Sequence, residues 1–192
     1  MGAVAKSDLH SPFSKEFIVM NIREIKNGEF DKVFEILKES FPKEEYRTYE
    51  EQKKLLDNPF YTIYVLPNSE DKGITAFIAV WQFENFAYVE HFAVSSQHRN
   101  KNLGSKILNE VAKMLSCPLC LEVELPETNT ANRRIEFYKR NGFFYNDYKY
   151  FQPPFHKDNN PIPLAIMTYK ESIGRDEFEK IKAVLYREVY NI

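Results

Sequence analysis

Apolar and polar positions change rhythm several times along the 192-residue chain, and each rhythm predicts an element. Phe17 to Ile25 reads as a first strand. NGEFDKVFEILKESFP then sets Phe30, Val33, Phe34, Ile36 and Leu37 at helical spacing. That face stops at Pro42, because proline has no N–H with which to continue a helix. TYEEQKKLLDNP predicts a shorter second helix. YTIYVLPN and GITAFIAVWQFEN alternate like two antiparallel strands joined by the turn NSEDKG, and FAYVEHFAV is a fourth strand. Leu103, Ile107, Leu108, Val111 and Leu115 mark one face of an amphipathic helix over 103–115. PLCLEVEL is a fifth strand, and a helix over 131–141 is stopped by Gly142. FFYNDYKYF and IPLAIMTYK are two late strands around the proline-rich loop QPPFHKDNNPIP. Phe178, Ile181, Leu185 and Val189 predict a last helix from about Arg175 to Tyr190, which could pack on its own sheet or on a second subunit.

This order predicts a mixed α/β (α+β) layer fold in a single domain over residues 17–192, with residues 1–16 as a flexible lead-in. The helix between the fourth and fifth strands requires a parallel crossover. Hydrophobic residues make up 43% and charged residues 28%, an ordinary globular composition. No apolar run approaches the ~20 residues of a membrane span, and the start of the chain lacks the apolar core of a signal peptide, so a cytoplasmic protein is expected. The formal net charge of −2 provides no overall field for nucleic acid or an anionic membrane, and neither is an expected partner. An anion site must therefore be local. Cys117 and Cys120 have the spacing of a redox pair or half a zinc site. However, the predicted helix precedes them and the strand follows, the reverse of a redox turn, and no other cysteine could complete a metal site. Two reduced thiols and no metal are expected.

QHRNKNLGSKIL, residues 97–108, lies between the fourth strand and its following helix. A helix N-terminus there offers unpaired N–H groups and a partial positive charge, which together cradle phosphate. Gly104 has no Cβ to block a close approach. Asn102 is the non-glycine type that best tolerates a left-handed backbone, and it can also cap a helix. Arg99 and Lys101 add positive charge.

YVEHFAVSSQHRNKNLGSKIL resembles the cofactor motif of the GNAT-type N-acetyltransferases, with Arg99, Asn102 and Gly104 at its marked positions. The family's second motif is matched by LCLEVEL followed by ANRRIEFYKRNGFF, in which Tyr138, Gly142 and Phe143 fall on the marked positions. The resemblance covers most of the chain. Two residues depart from it: Asn102 replaces a glycine, and Ala131 stands where many members carry an Asn that contacts the pantetheine arm. The resemblance implies a mostly antiparallel central sheet with helices on both faces. Its fourth and fifth strands would be a parallel pair, splayed at the cofactor site.

The resemblance also implies transfer of acetyl from acetyl-coenzyme A to a primary amine of a small molecule or peptide. Backbone N–H groups of Arg99, Asn100, Lys101, Asn102, Leu103, Gly104 and Ser105 would hold the pyrophosphate. The strand edge Phe92, Ala93 and Val94 would take the pantetheine amides, and an N–H near Ala93 or Val94 would face the acetyl oxygen. Tyr138 corresponds to the general acid, and Arg134, on the same helical face, could reach cofactor phosphate. Glu90, Glu124 or a water would be the base, with His91 a third candidate. Strict alternation puts Tyr88, Glu90 and Phe92 on one face and His91 on the other. Phe41, Tyr46, Tyr150 and Phe155 could wall the acceptor pocket, with Glu44 and Glu45 attracting a cation. The alternative is a non-catalytic acyl-coenzyme A sensor, for which Ala131 is the one hint. An unrelated phosphate-binding α/β fold would share the cradle but not the Tyr138 segment. The expected assembly is a monomer or a homodimer.

Overall fold

The computed structural model describes residues 21–68, 73–99, 102–156 and 158–192. Its strands are β1 (Arg23–Glu24), β2 (Tyr61–Pro67), β3 (Ile74–Gln82), β4 (Ala87–Val94), β5 (Leu119–Glu124), β6 (Phe143–Gln152) and β7 (Ile162–Tyr169). They form one seven-stranded sheet in the order β1-β2-β3-β4-β5-β7-β6. Every neighbouring pair is antiparallel except β4 and β5, which run parallel. Most of the expected first strand, residues 17–20, lies outside the described residues, as does the lead-in 1–16.

The helices are α1 (Phe30–Ser40), α2 (Tyr49–Lys54), α3 (Leu103–Leu115), α4 (Asn129–Arg140) and α5 (Arg175–Val184). Local chemistry sets their ends. Thr48 and Glu51 make a reciprocal capping box at α2, which satisfies two backbone donors at once. The helix then tightens into a 3-10 turn over Leu55–Asp57. At α4, the Thr128 side chain accepts the Ala131 N–H at 3.0 Å. The helix therefore starts two residues before the expected position. Gly142, at φ +85°, closes α4 with a left-handed backbone that its lack of Cβ permits. The last helix loosens at Leu185–Val189 into a π turn.

Helices cover both faces. α1, α2 and α5 bury the side of the sheet that carries Ile63, Phe77, Trp81 and Tyr88. α3 and α4 bury the opposite side, with Ile78, Val80, Val89 and Leu121. Phe178, Leu185 and Val189 lie in the first of these cores, each 1% exposed or less. The final helix thus packs on its own sheet.

Two irregularities in β4 create the site. Its parallel pairing with β5 runs only from Ala87–Leu119 to Val89–Leu121, so beyond Val89 the edge of β4 that faces β5 has no strand partner. On its other edge, His91 pairs with Ala79 but Val89 with Val80, leaving Glu90 as an extra residue in a β-bulge. A bulge breaks alternation, and the expected facing of this strand is corrected accordingly. Glu90 and His91 both turn toward the α1 and α2 side, where they meet Arg47 and Phe41. Phe92 goes to the opposite face, against Phe137 of α4 with ring centroids 6.3 Å apart.

Candidate active site

Where β4 and β5 part, a cavity of about 260 Å³ opens. Its walls are Tyr88–Val94 of β4, Leu121–Glu124 of β5, Arg134 and Tyr138 of α4, and Phe41, Glu45 and Phe155 from loops. A second cavity of about 420 Å³ continues from the shared Phe92, Ala93, Val94 and Arg99 to Asn102, Leu103, Gly104 and Ser105. One track therefore runs from the start of α3, along the open β4 edge, into an acidic cleft.

At the α3 end, Asn102 has φ 55° and ψ 18°, the left-handed backbone expected of it. Its side chain makes no capping hydrogen bond, so the second use expected of it is not realised. The first N–H groups of α3 thus keep their partial positive charge facing the cavity. Gly104 lines the second cavity and also lies beside an aromatic pair. A Cβ there would lie 3.4 Å from the Phe137 ring and 3.6 Å from Phe92, ordinary contact distances, so only a larger side chain would crowd this aromatic pair under the track. Arg99 is tied to the chain: Nε donates to the Val94 carbonyl at 3.1 Å and a terminal nitrogen donates to Ser40 Oγ at 3.1 Å. Asn100 and Lys101 lie outside the described residues.

At the acidic end, three carboxylates meet three environments. The Glu90 side chain is 1% exposed, and Arg47 Nη1 donates to its Oε1 at 2.7 Å. Burial pushes this carboxyl up, but the Arg47 charge and nearby His91 outweigh it and bring it down to about 2. The other Glu90 oxygen is 3.4 Å from His91 Nδ1, and neither atom has a hydrogen-bond partner among the described residues. Arg47 is itself fixed by donating to the Val189 carbonyl at 2.8 Å and by lying 4.2 Å over the Phe155 ring. Glu124 pairs with Arg134 at 2.6 Å, each side chain about one-third exposed. Arg134 is therefore turned to this carboxylate. Glu122 is held by phenols alone. Tyr88 donates to it at 2.9 Å and Tyr190 at 2.8 Å, and Tyr150 donates to its Oε1. Burial pushes Glu122 up to about 7, against the downward pull of these donors.

Tyr138 lines the same cleft, 9% exposed. Burial, partly offset by Arg134, pushes its phenol up to about 12. His91 is hydrogen-bonded only through Nε2, 3.0 Å from the Glu45 carbonyl; a carbonyl can only accept, so this nitrogen carries the proton. Of the expected walls, Phe41 and Phe155 line the cavity, whereas Tyr46 packs on Phe34 of α1. Glu45 reaches the cleft and is pushed up by burial, while Glu44 is exposed. Cys117 and Cys120 are free thiols, both pushed up by burial.

Arg47 and Glu122 are absent from the residues expected on sequence grounds. Glu122 carried a signal, a carboxylate between Leu121 and Val123 in a strongly apolar strand, which is the same argument that singles out Glu90. Arg47 carried none, since only folding brings it to a partner 43 residues away.

Residues 30–143 match the model of the acetyltransferase (GNAT) family. YjbC of Bacillus subtilis (strain 168), named as an acetyltransferase, is 31% identical over 112 residues, which span 57% of this chain and 55% of that protein. A GNAT-family structure from Bacteroides thetaiotaomicron, also named as an acetyltransferase, superposes with a TM-score of 0.82 at 32% identity, covering 89% of this chain and 98% of that one. An aminoglycoside 6'-N-acetyltransferase complexed with coenzyme A shares the fold, with a TM-score of 0.58 at 16% identity over 81% of this chain and 99% of that one. The ribosomal-protein-S18-alanine N-acetyltransferase of Escherichia coli does likewise, at 0.59 and 18% over 81% and 96%. No helix among the described residues is long and apolar enough to cross a membrane.

Proposed function

The chain belongs to the GNAT acetyltransferase family, and from that premise we propose that it transfers acetyl from acetyl-coenzyme A to a cationic primary amine of a small molecule or peptide. The observation that carries this reading is the track itself: an uncapped helix start, an open strand edge and an acidic cleft in line.

The residues present fit coenzyme A. The backbone N–H groups from Asn102 to Ser105 would hold the pyrophosphate. The edge Phe92–Val94 would pair with the pantetheine amides as a further strand does. When bound, acetyl-coenzyme A supplies the activated acetyl thioester. An N–H of Ala93 or Val94 would donate to the acetyl oxygen as negative charge builds there. Tyr138 would keep its proton at neutral pH and give it to the leaving sulfur. Glu124, about one-third exposed at the cleft, or a water would take the proton lost by the nitrogen. Glu90 suits a different role. With a pKa near 2 it is a weak base, and its pairing with Arg47 better serves to fix the bulge.

The acceptor's charge follows from the cleft. Glu45, Glu90, Glu122 and Glu124 line or border it against Arg47, Arg99 and Arg134, so an ammonium group is attracted to the acidic end. Related folds act on aminoglycosides, on a ribosomal-protein alanine and on spermidine, all amines. Ala131, 2% exposed, brings no polar side chain to the pantetheine path, and that is the feature favouring a non-catalytic acyl-coenzyme A sensor.

Thermal unfolding with and without acetyl-coenzyme A tests the cofactor. A ligand at ~100 times its dissociation constant adds about 2.7 kcal/mol, so a clear rise in Tm is expected. Thiol release with a panel of amines then separates enzyme from sensor: a stabilised protein that acetylates none of them would favour the sensor. An empty protein that acetyl-coenzyme A does not stabilise would overturn both.

Gly104→Val gives a local check. Its branches would press on the Phe137 ring, and overpacking of this kind costs about 1–3 kcal/mol. Coenzyme A affinity should fall about tenfold or more, as read by calorimetric titration. Unchanged affinity in a folded variant would exclude this end of α3 from the cofactor site.

A further inference from the structure

The three buried or half-buried carboxylates on β4 and β5 differ in one respect. Glu90 has Arg47 and Glu124 has Arg134. Glu122 has no cation among its contacts with the described residues; its partners are the hydroxyls of Tyr88, Tyr150 and Tyr190. These three phenols come from β4, β6 and the turn that ends the last helix, and each ring is 9% exposed or less. A carboxylate offers about four acceptor positions; Tyr190 lies across both oxygens, at 3.0 and 2.8 Å, with a single proton to give, so three phenol protons leave one acceptor position unfilled. Glu122 also lines the cleft that holds Tyr138. An anion in such a place, without a counter-ion, is costly to keep. A rigid ring of donors would hold it in one orientation, with its charge waiting to be neutralised.

We propose that Glu122 is the residue that reads the charge of the acceptor, pairing through its free acceptor position with the ammonium group of the incoming primary amine. The proposal rests on the acetyltransferase reading and adds the group that selects a cationic substrate. Phe41 and Phe155, on the same cavity wall, would accept an apolar stem behind the ammonium. The tyrosines act as positioning residues: they aim the carboxylate and keep part of it ionised near neutral pH, since burial alone pushes it up. Other titratable groups around Glu122 repel or ignore an anion. Glu90 on β4, Tyr186 beside the last turn and Cys120 on its own strand all interact with it unfavourably when charged. The entering ammonium would be its first cation.

Carbon-13 carboxyl NMR of the coenzyme A-saturated protein tests this without requiring turnover. Glu122→Gln assigns the resonance by its loss. Methylammonium, butylammonium and phenethylammonium serve as probes, with 2-phenylethanol as the neutral control. A cation at the carboxylate favours its charged form, so at least one ammonium should lower the Glu122 pKa by about one unit, and the alcohol should not move it. Kinetics give the second arm: in Glu122→Gln the KM for the amine should rise about tenfold, with the KM for acetyl-coenzyme A unchanged. Tyr190→Phe, which removes one donor to the anion, should shift the acid limb of kcat/KM to higher pH, an effect that a purely structural hydroxyl would not produce. If no ammonium shifts the Glu122 titration, the proposal is overturned, even in an enzyme that acetylates amines. If ammonium ions shift it but no amide forms with any amine, the acetyl-transfer reading fails while the ammonium site stands.

Discussion

Tyr138→Phe is expected to lower kcat by about 10²–10⁴-fold, the range typical for loss of a positioned general acid, with coenzyme A affinity nearly unchanged. The ring is what packs: Tyr138 meets Phe137 at 5.3 Å and Phe143 at 5.6 Å between centroids, both edge-on. Phenylalanine keeps those contacts, so the variant should fold and bind. Only the hydroxyl is lost. Burial pushes that hydroxyl up to about 12, so it stays protonated through the neutral range and can donate at any pH at which the protein would normally be assayed. The wild-type rate should therefore show no alkaline loss attributable to this group below about pH 10. Steady-state kinetics by thiol release, alongside calorimetric binding of coenzyme A, would separate the two effects. A variant that retains kcat within about threefold would make water the proton donor and leave Tyr138 as packing.

Arg47→Met should have the largest effect on stability. Arg47 is 8% exposed. It holds Glu90 at 2.7 Å and the Val189 carbonyl at 2.8 Å, joining the β4 bulge to the C-terminal turn. Removing one member of a buried ion pair costs about 3–5 kcal/mol, because the other charge is left uncompensated. The pH dependence should also change sign. In the wild type the folded pKa of Glu90, about 2, lies below the ordinary carboxylate value. The stability it contributes is therefore present above about pH 4.5 and lost as pH falls toward 2. Without Arg47, burial dominates and raises the folded pKa, so the contribution becomes one that is lost as pH rises. Urea unfolding at about pH 4.5 and about pH 8 should show the variant losing more stability at the higher pH. Equal losses at both would mean that Glu90 stays paired, with His91 replacing the lost cation.

The fold was legible where local rules govern. Helical spacing in α1 and α3, and proline and glycine at helix ends, are properties of a few adjacent residues, and no distant contact overrides them. The candidate site was legible where it depends on backbone conformation: Asn102 is left-handed because the turn into α3 demands it, and Asn is the side-chain-bearing residue that accepts it most readily. The resemblance of the α4 segment to the family's second motif marked Tyr138 as worth testing.

Side-chain partners were a different matter. The bulge at Glu90 depends on how β4 registers with β3, and the one extra residue reverses the facing of Phe92, which strict alternation cannot foresee. The pairings of Glu90 with Arg47, of Glu124 with Arg134, and of Glu122 with three tyrosines join segments far apart in the chain. By itself, the sequence of this protein determined its elements, their order and the left-handed turn into α3, because those depend on neighbours along the chain. Only the tertiary structure decided which acid is neutralised, which is left without a cation and how strongly Glu90 and Glu122 hold their protons, because charge and burial depend on neighbours in space.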